Sequence, residues 1–301
     1  MEYLWNLGQL IAQQTVNGIT LGATYALIAL GYTMVYGIIQ LINFAHGEVY
    51  MIGAFVGLIM ITTYEVNFFV ALLVAALVCA PLAMLIERVA YRPLRGSMRL
   101  APLISALGVS IFLQTLMTLI QGPNPQGFPK VITDTVYLLG PIKFSLVQVI
   151  ILVIAALLMV ILNLIVKYTR TGKAMRATSQ DYDTARLMGI NVNRTISFTF
   201  ALGAALAGAG GVLVGMYYGS VHPFMGVTVG LKCFCAAVLG GIGSIPGAMI
   251  GGFIIGLIEV MTVAFFPDLS GYLDGVIFLV LVVFLLIRPT GILGETLKEK
   301  V

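Results

Sequence analysis

The chain has 301 residues, of which 60% are hydrophobic and only 9% charged, and its formal net charge is +4 at pH 7. A soluble globular domain carries charge on about a quarter of its residues. The composition therefore excludes a water-soluble fold and predicts an all-α, polytopic transmembrane bundle, since helices satisfy their own backbone hydrogen bonds in lipid.

Apolar runs of membrane-spanning length follow one another along the chain. They lie near residues 15–37, 48–64, 66–86, 101–120, 145–166, 196–218, 246–265 and 272–287. A shorter run at 228–242 is either a ninth span or a re-entrant segment, and the region 38–64 could be broken rather than one regular helix. We therefore expect about eight or nine spans in one transmembrane domain, 1–301.

The stretch from Ile42 to Phe55, INFAHGEVYMIGAF, gathers polar side chains where the chain is otherwise almost free of charge. A catalytic group there lacks partners, and neither His46 nor His222 has metal ligands at a suitable spacing. Two interpretations remain: a polar turn between spans, or a broken helix that lines a path across the membrane. In the second, a glycine lets the chain bend and an asparagine satisfies free backbone groups. The candidate path residues are Asn43, His46, Gly47 and Glu48.

Most of the Lys and Arg residues fall in three blocks, which predict sidedness because cytoplasmic loops are enriched in basic residues. The blocks run from Arg88 to Arg99, from Lys167 to Arg194 and from Arg288 to Lys300. If all three are cytoplasmic, the loop 121–144 lies outside and the run 228–242 crosses the membrane. We expect the N-terminus outside and the C-terminus in the cytoplasm.

The loop 167–195 is the most informative hydrophilic segment. A short amphipathic helix is predicted in it, with a polar cap, an apolar face and a terminal glycine. Its members are Ser179 or Asp181 as the cap, Ala185 and Met188 on one face with Tyr182 and Leu187 beside them, and Gly189 at the end. The segment either docks a partner protein or lies on anionic lipid. Gly172-Lys173-Ala174 is not a complete phosphate loop, so we expect no ATPase site in this chain.

Two further features stand in the second half. Lys232 lies inside an apolar run, where it either pairs with Glu259 of the next span or extends its ammonium to the membrane interface. Small residues recur every fourth position and predict close helix packing, at Gly203, Ala207, Gly211, Gly215 and Gly219. MIGAF at 51–55 also resembles MIGGF at 249–253, which suggests either two related halves with broken helices or a chance match.

Four segments resemble the permease subunits of bacterial ABC importers for branched-chain amino acids, and the resemblance runs over about residues 15–294. They are the stretch 20–55, IERVAYRPLRG at 86–96, LISALGVSIFLQ at 103–114 and AVLGGIGSIPGAMIGG at 237–252. INFAHGE and LGGIGSIPGA are the most specific parts.

The resemblance implies an importer of leucine, isoleucine and valine in the bacterial inner membrane. Its partners would be a second homologous permease, two cytoplasmic ATP-binding subunits that use ATP and Mg²⁺, and a periplasmic or lipid-anchored binding protein. This chain would hold no cofactor itself. Residues 179–189 are similar to the segment that couples such a permease to an ATPase, and INFAHGE would occupy an interrupted helix near the path.

Two alternatives stay open at this stage. One is a member of the same family that imports urea or short amides. The other is an ion-coupled secondary transporter or channel that works alone.

Overall fold

A computed structural model describes residues 2–98, 100–132, 135–140 and 142–294 and is almost entirely helical. The helices are α1 (Glu2–Ile39), α2 (His46–Thr62), α3 (Phe68–Ile86), α4 (Leu100–Gln121), α5 (Leu146–Tyr168), α6 (Arg170–Gln180), α7 (Tyr182–Leu187), α8 (Val192–Tyr218), α9 (Met225–Gly240), α10 (Ile245–Phe265) and α11 (Leu273–Ile287). A π-helical turn (Glu87–Tyr91) and a 3-10 turn (Arg92–Leu94) extend α3, and a 3-10 turn (Pro267–Tyr272) precedes α11. Of the predicted basic blocks, Arg99, Lys298 and Lys300 lie outside the described residues.

The helices confirm the predicted polytopic, all-α membrane fold. Among the described residues, seven helical segments are long and apolar enough to cross a membrane, and they include α1, α3, α4, α5, α8, α10 and α11. The remaining apolar helices, α2 and α9, have 17 and 16 residues. At about 1.5 Å per residue they rise about 25 Å, less than a hydrocarbon core of about 30 Å. The runs predicted at 48–64 and 228–242 correspond to these two shorter helices.

The short helices begin inside the bundle because the chain turns back before each of them. After α1 ends at Ile39, Gln40 takes a positive φ of 53° and His46 comes to rest against Gly31. Gly31 stands eight residues before the end of α1, so the chain has returned by about 12 Å. In the second half, Gly219 ends α8 in the left-handed conformation with a φ of 67°, and α9 then begins against the start of α2. The helix interruption expected in the region 38–64 is therefore present between Ile39 and His46.

The two interrupted halves pack in equivalent ways. Helix α1 packs antiparallel along α10, and α8 packs antiparallel along α3. Helix α2 rests on α8, α9 rests on α1, and α2 meets α9 near the middle of the bundle. The matching pentapeptides at 51–55 and 249–253 lie in α2 and α10, which do not occupy equivalent places in this arrangement. The sequence match therefore does not coincide with this equivalent packing, and the suggestion of two related halves stays a prediction.

The small residues predicted to pack along α8 contact several different neighbours. Gly203 lies against Gly31 of α1, Ala207 is fully buried, Gly211 lies against Tyr50 and Ala54 of α2, and Gly215 lies against Phe128 and Val221. Gly219 is a correction to this prediction. A Cβ there would meet nothing within 4 Å, and the residue serves the turn that ends α8 instead.

Short strands close the end of the bundle where α8 finishes. Strand β1 (Gln126–Gly127) pairs antiparallel with β4 (Ser220–Val221), and β2 (Val136–Leu139) forms a hairpin with β3 (Ile142–Ser145). The segment between α4 and α5 thereby rests on the second chain reversal.

Candidate functional site

Asn43 builds the turn that leads into α2. Its side-chain oxygen accepts hydrogen bonds from the Ala45 N–H at 3.1 Å and from the Tyr91 hydroxyl at 2.9 Å. The His46 N–H donates to the Asn43 carbonyl at 3.1 Å. Asn43 thus satisfies backbone groups, as the sequence indicated, and it also ties the turn to the extension of α3. Tyr91 was missed, because nothing in a single tyrosine 48 residues away marks it as the partner.

His46 is a buried side chain at the first position of α2, with only 2% of its surface exposed. Its ring occupies the space that a Cβ at Gly31 would fill and meets the Tyr32 ring edge-on, with centroids 4.7 Å apart. Its Nε2 atom has no hydrogen-bond partner among the described residues. Among all the residues that the structure describes, no group of three or more His, Cys, Asp or Glu side chains is placed to hold a metal ion.

Gly47 brings the two short helices into contact. A Cβ at this position would overlap the carbonyl oxygen of Gly226, and Gly230 lies beside it as well. The expectation that Gly47 lets the chain bend is wrong, because the residue is already helical and the reversal takes place at residues 40–45. The glycine is needed for close backbone approach between α2 and α9. We call this meeting of Gly47 with Gly226 and Gly230 the α2–α9 contact.

Glu48 is a buried carboxyl group beside that contact, with 1% of its surface exposed. The Ser110 hydroxyl of α4 donates a hydrogen bond to its Oε1 atom at 3.2 Å. Its Oε2 atom lies next to Gly226 and has no hydrogen-bond partner among the described residues. A carboxylate in the first turn of a helix is favoured by the exposed N–H groups there. The four candidate path residues are therefore together at the start of α2, and all of them are buried.

Lys232 and Glu259 form an ion pair between α9 and α10, with the Lys232 Nζ atom 2.9 Å from the Glu259 Oε1 atom. The ammonium also lies 3.1 Å from the Asp274 Oδ1 atom of α11. The Tyr25 hydroxyl of α1 donates to the second Glu259 oxygen at 2.9 Å. Lys232 is 8% exposed and so does not reach open solvent. Asp274 and Tyr25 were missed, because their positions follow from the packing of four helices.

The loop 167–195 contains two helices, α6 and α7, rather than one. Asp181 caps α7 through its side-chain oxygen, which accepts from the N–H groups of Asp183 and Thr184 at 2.9 and 2.8 Å. Ser179 is not a cap, since it lies within α6 and its hydroxyl donates to the Arg176 carbonyl at 2.8 Å. Gly189 has a φ of 81° and follows the end of α7, as expected of a terminating glycine.

The predicted apolar face of α7 is not continuous. Ala185 is 3% exposed and packs inward, whereas Met188 is 78% exposed and Leu187 87% exposed. Helix α7 ends at Leu187, so Met188 leaves the helical periodicity and does not share a face with Ala185. Leu187 and Met188 form the exposed apolar tip of the loop, beside Arg186.

Tyr182 connects this loop to the first chain reversal. Its hydroxyl donates a hydrogen bond to the carbonyl oxygen of Ile38, in the last turn of α1. Burial raises the pKa of Tyr182, so the hydroxyl keeps its proton as a donor, although nearby Arg95 acts in the opposite direction. The start of α7 is therefore joined to the chain only a few residues before Asn43.

The segment after α3 is held by a buried ion pair that sequence reasoning missed. Arg95 forms a salt bridge with Glu87, which is fully buried and also accepts a hydrogen bond from Ser197 of α8. Arg95 donates further to the Asn193 side chain at 2.8 Å. At least this arginine of the first basic block is engaged inside the molecule, so it is neither free for a partner nor needed only for orientation. The run ERVAYRPLRG holds both charges, and that is the one signal that could have suggested the pair.

Comparison with known proteins gives a consistent result. A family profile described as the branched-chain amino acid transport system permease component matches residues 14–286. The chain is 47% identical to the high-affinity branched-chain amino acid transport system permease protein LivH of Escherichia coli strain K12, over 96% of this chain and 97% of that protein. It is also 47% identical to BraD of Pseudomonas aeruginosa, a permease protein with the same description, again over 96% and 97%. The permease protein LivM of the Escherichia coli system is 28% identical over 95% of this chain and 72% of its own.

Proposed function

This chain belongs to the family of branched-chain amino acid transport permeases, and we propose from that premise how it carries out transport. It is the permease component of a branched-chain amino acid ABC importer and a multi-pass protein of the inner membrane. The observation that carries this conclusion is 47% identity over nearly the whole length of both chains. The imported substrates are leucine, isoleucine and valine, which move from outside to the cytoplasm.

The importer contains further subunits. Two related permeases, this chain and a second one, form the path; LivH and LivM, both described as permease proteins of one Escherichia coli system, support such a pair. Two cytoplasmic subunits hydrolyse ATP with Mg²⁺, and a periplasmic or lipid-anchored protein delivers the amino acid. This chain is not itself an enzyme and has no ATPase site of its own. The incomplete Gly172-Lys173-Ala174 sequence supports that last assignment.

The N-terminus faces the outside and the C-terminus the cytoplasm. The three basic blocks support this orientation. The hydrogen bond from Arg95 to Asn193 joins the first block to the second, which favours a common side for both. The segment between α4 and α5 then lies on the periplasmic face.

The tip of the loop 167–195 docks against an ATPase subunit. Leu187 and Met188 form an exposed apolar tip beside Arg186, which suits a groove on a partner protein. A displacement of this tip is transmitted to the end of α1 by the hydrogen bond from the Tyr182 hydroxyl to the Ile38 carbonyl. The chain reversal and the start of α2 follow directly.

Alternating access results from a change in the α2–α9 contact. The equivalent packing of α1 with α10 and of α8 with α3 supports two inverted halves, whose interrupted helices meet at this point. Asn43, His46, Gly47 and Glu48 form the closed part of the path in this arrangement. Nucleotide and binding protein need only stabilise the open and closed arrangements differently.

Vesicle transport tests the proposal. The chain is reconstituted with its second permease, both ATPases and the binding protein, and uptake of labelled leucine is measured with each component omitted in turn. We expect uptake only when all components are present and ATP is supplied on the side of the membrane where the ATPase subunits lie. Flux driven by an ion gradient in the chain alone would contradict the importer mechanism. Uptake of urea or short amides in place of leucine would contradict the substrate class.

A further inference from the structure

A cavity of about 270 Å³ lies beyond the α2–α9 contact, on the side away from the loop 167–195. Its polar lining comes from four helices and the segment between α8 and α9, and it includes Tyr25, Tyr50, Tyr218, His222, Thr228 and Lys232. A second space of about 410 Å³ lies beneath the segment between α4 and α5, and Tyr218 borders both. The first cavity therefore lies between the segment that joins α4 to α5 and the α2–α9 contact.

The Lys232 ammonium borders this cavity, and the carboxylates of Glu259 and Asp274 offset its positive charge. Among the described residues that line the cavity, Lys232 is the only Lys, Arg, Asp or Glu. An ammonium group has three N–H donors. Two of them face Glu259 and Asp274, at 2.9 and 3.1 Å, which leaves one donor for a further acceptor. The two carboxylates hold the ammonium in place without using all of its hydrogen bonds.

Tyr50 supplies a second donor. The side chain is fully buried and lines the cavity, yet its hydroxyl has no hydrogen-bond partner among the described residues. A buried hydroxyl without a partner is unfavourable, and native structures rarely keep one without a reason. A ligand that accepts a hydrogen bond here would remove that cost.

The rest of the wall is apolar. Val214 of α8 and Val229 of α9 face the cavity, and Met225 forms its lower edge. Met225 and Val229 are the sequence neighbours of Gly226 and Gly230, so the cavity lies beside the α2–α9 contact. One cavity thus combines an ammonium N–H donor, a hydroxyl that has no partner among the described residues, and branched aliphatic side chains, all beside the α2–α9 contact.

We propose that this cavity is the resting site of the amino acid within the permease, with its carboxylate on Lys232 and Tyr50 and its aliphatic side chain against Val214 and Val229. The inference rests on the proposed function and adds to it the site and the contacts. It assigns substrate contacts to the outer half of α9, a helix whose role the family relationship does not specify. Opening of the α2–α9 contact would then release the amino acid toward the cytoplasm.

The first test fills the cavity. Val229→Phe should lower leucine uptake at least tenfold in the complete vesicle system, while ATP hydrolysis stimulated by the binding protein continues. Val227→Phe is the matched control, because Val227 is on the same helix but 40% exposed and outside the cavity lining, and its uptake should stay at the wild-type rate. Uptake by Val229→Phe at the wild-type rate would overturn the assignment of this cavity as the amino acid site. A wild-type importer that moves no branched-chain amino acid would overturn the proposed function, and the inference with it.

The second test removes one oxygen and leaves the fold in place. Binding of tritiated L-leucine to the purified complex is measured without binding protein, for the wild type, for Tyr50→Phe and for Tyr64→Phe, whose side chain is 66% exposed. Tyr50→Phe should weaken binding about fivefold to tenfold, because the carboxylate of leucine loses one hydrogen-bond donor. Tyr64→Phe should bind leucine like the wild type. Equal affinities for all three, or no binding by the wild type, would overturn the assignment.

Discussion

The two chain reversals of this permease differ in what they contain. At the first, residues 40–45, polar side chains are enclosed: Asn43 is bonded on both sides and His46 fills a notch at Gly31. At the second, residues 219–224, the backbone turns at a glycine and His222 borders an open cavity. The conspicuous polar sequence is therefore enclosed within the bundle, and the less conspicuous reversal adjoins the cavity that we propose as the ligand site.

This difference shows that polarity inside an apolar chain has two separate uses. Polar groups near the first reversal shape the backbone and are buried within the bundle. Near the second, the groups that could meet a ligand are tyrosine hydroxyls and one lysine held by carboxylates. Substitutions on each side should therefore fail in different ways, by loss of closure in one case and by loss of the ligand site in the other.

The largest effect is expected at the ion pair behind the second reversal. Lys232→Met leaves Glu259 buried without its cation, which should lower the free energy of unfolding by about 3–5 kcal/mol. Glu259→Gln retains an acceptor for Tyr25 and should cost less. The double variant should be more stable than Lys232→Met alone, and thermal unfolding of the purified complex measures all three. Additive losses would show that the two side chains do not interact.

A smaller effect is expected at the first reversal, where Gly47→Val introduces atoms into the α2–α9 contact. Overpacking of this kind costs about 1–3 kcal/mol, and here it should also prevent closure. We expect a lower unfolding temperature together with ATP hydrolysis that no longer depends on the binding protein. Gly271→Val is the control, because a Cβ there would meet nothing within 4 Å. Tight, binding-protein-dependent ATP hydrolysis in Gly47→Val would contradict a closing role for this contact.

The smallest effect is expected at the link from the loop 167–195 to the first reversal. Tyr182→Phe removes the hydrogen bond to the Ile38 carbonyl, worth about 1 kcal/mol. Stability should therefore change little, while the leucine transported per ATP falls about twofold to fivefold. Tyr168→Phe, at a tyrosine 65% exposed near the same loop, should leave that ratio unchanged. An unchanged ratio in Tyr182→Phe would show that the link does not transmit the movement.

Local signals in the sequence were enough to predict several of these features. Asn43, Asp181 and Gly189 act through hydrogen bonds and dihedral angles within a few residues, so their roles at turns and helix ends could be read directly. Lys232 and Glu259 could be paired because a charge in an apolar run needs a partner nearby.

Features that depend on helix packing could not be predicted in the same way. Ser110, Tyr91 and Gly226 contact the start of α2 from distant parts of the chain. Nothing in the sequence distinguishes them from the many other serines, tyrosines and glycines. Met188 was assigned to the wrong face because helix α7 ends one residue before it. The role of Gly47 was also misread, since a bend and a close approach both call for glycine.

The contact of Gly47 with Gly226 has a consequence for how such permeases can diversify. It is made by main-chain atoms, which are the same whatever side chains surround them. In the proposed mechanism this contact closes the path, and a barrier built from backbone keeps its shape when the transported substrate changes, as long as both glycines stay. New specificities can therefore arise by exchanging single side chains in the wall above, such as Val214 or Val229, without redesign of the barrier below.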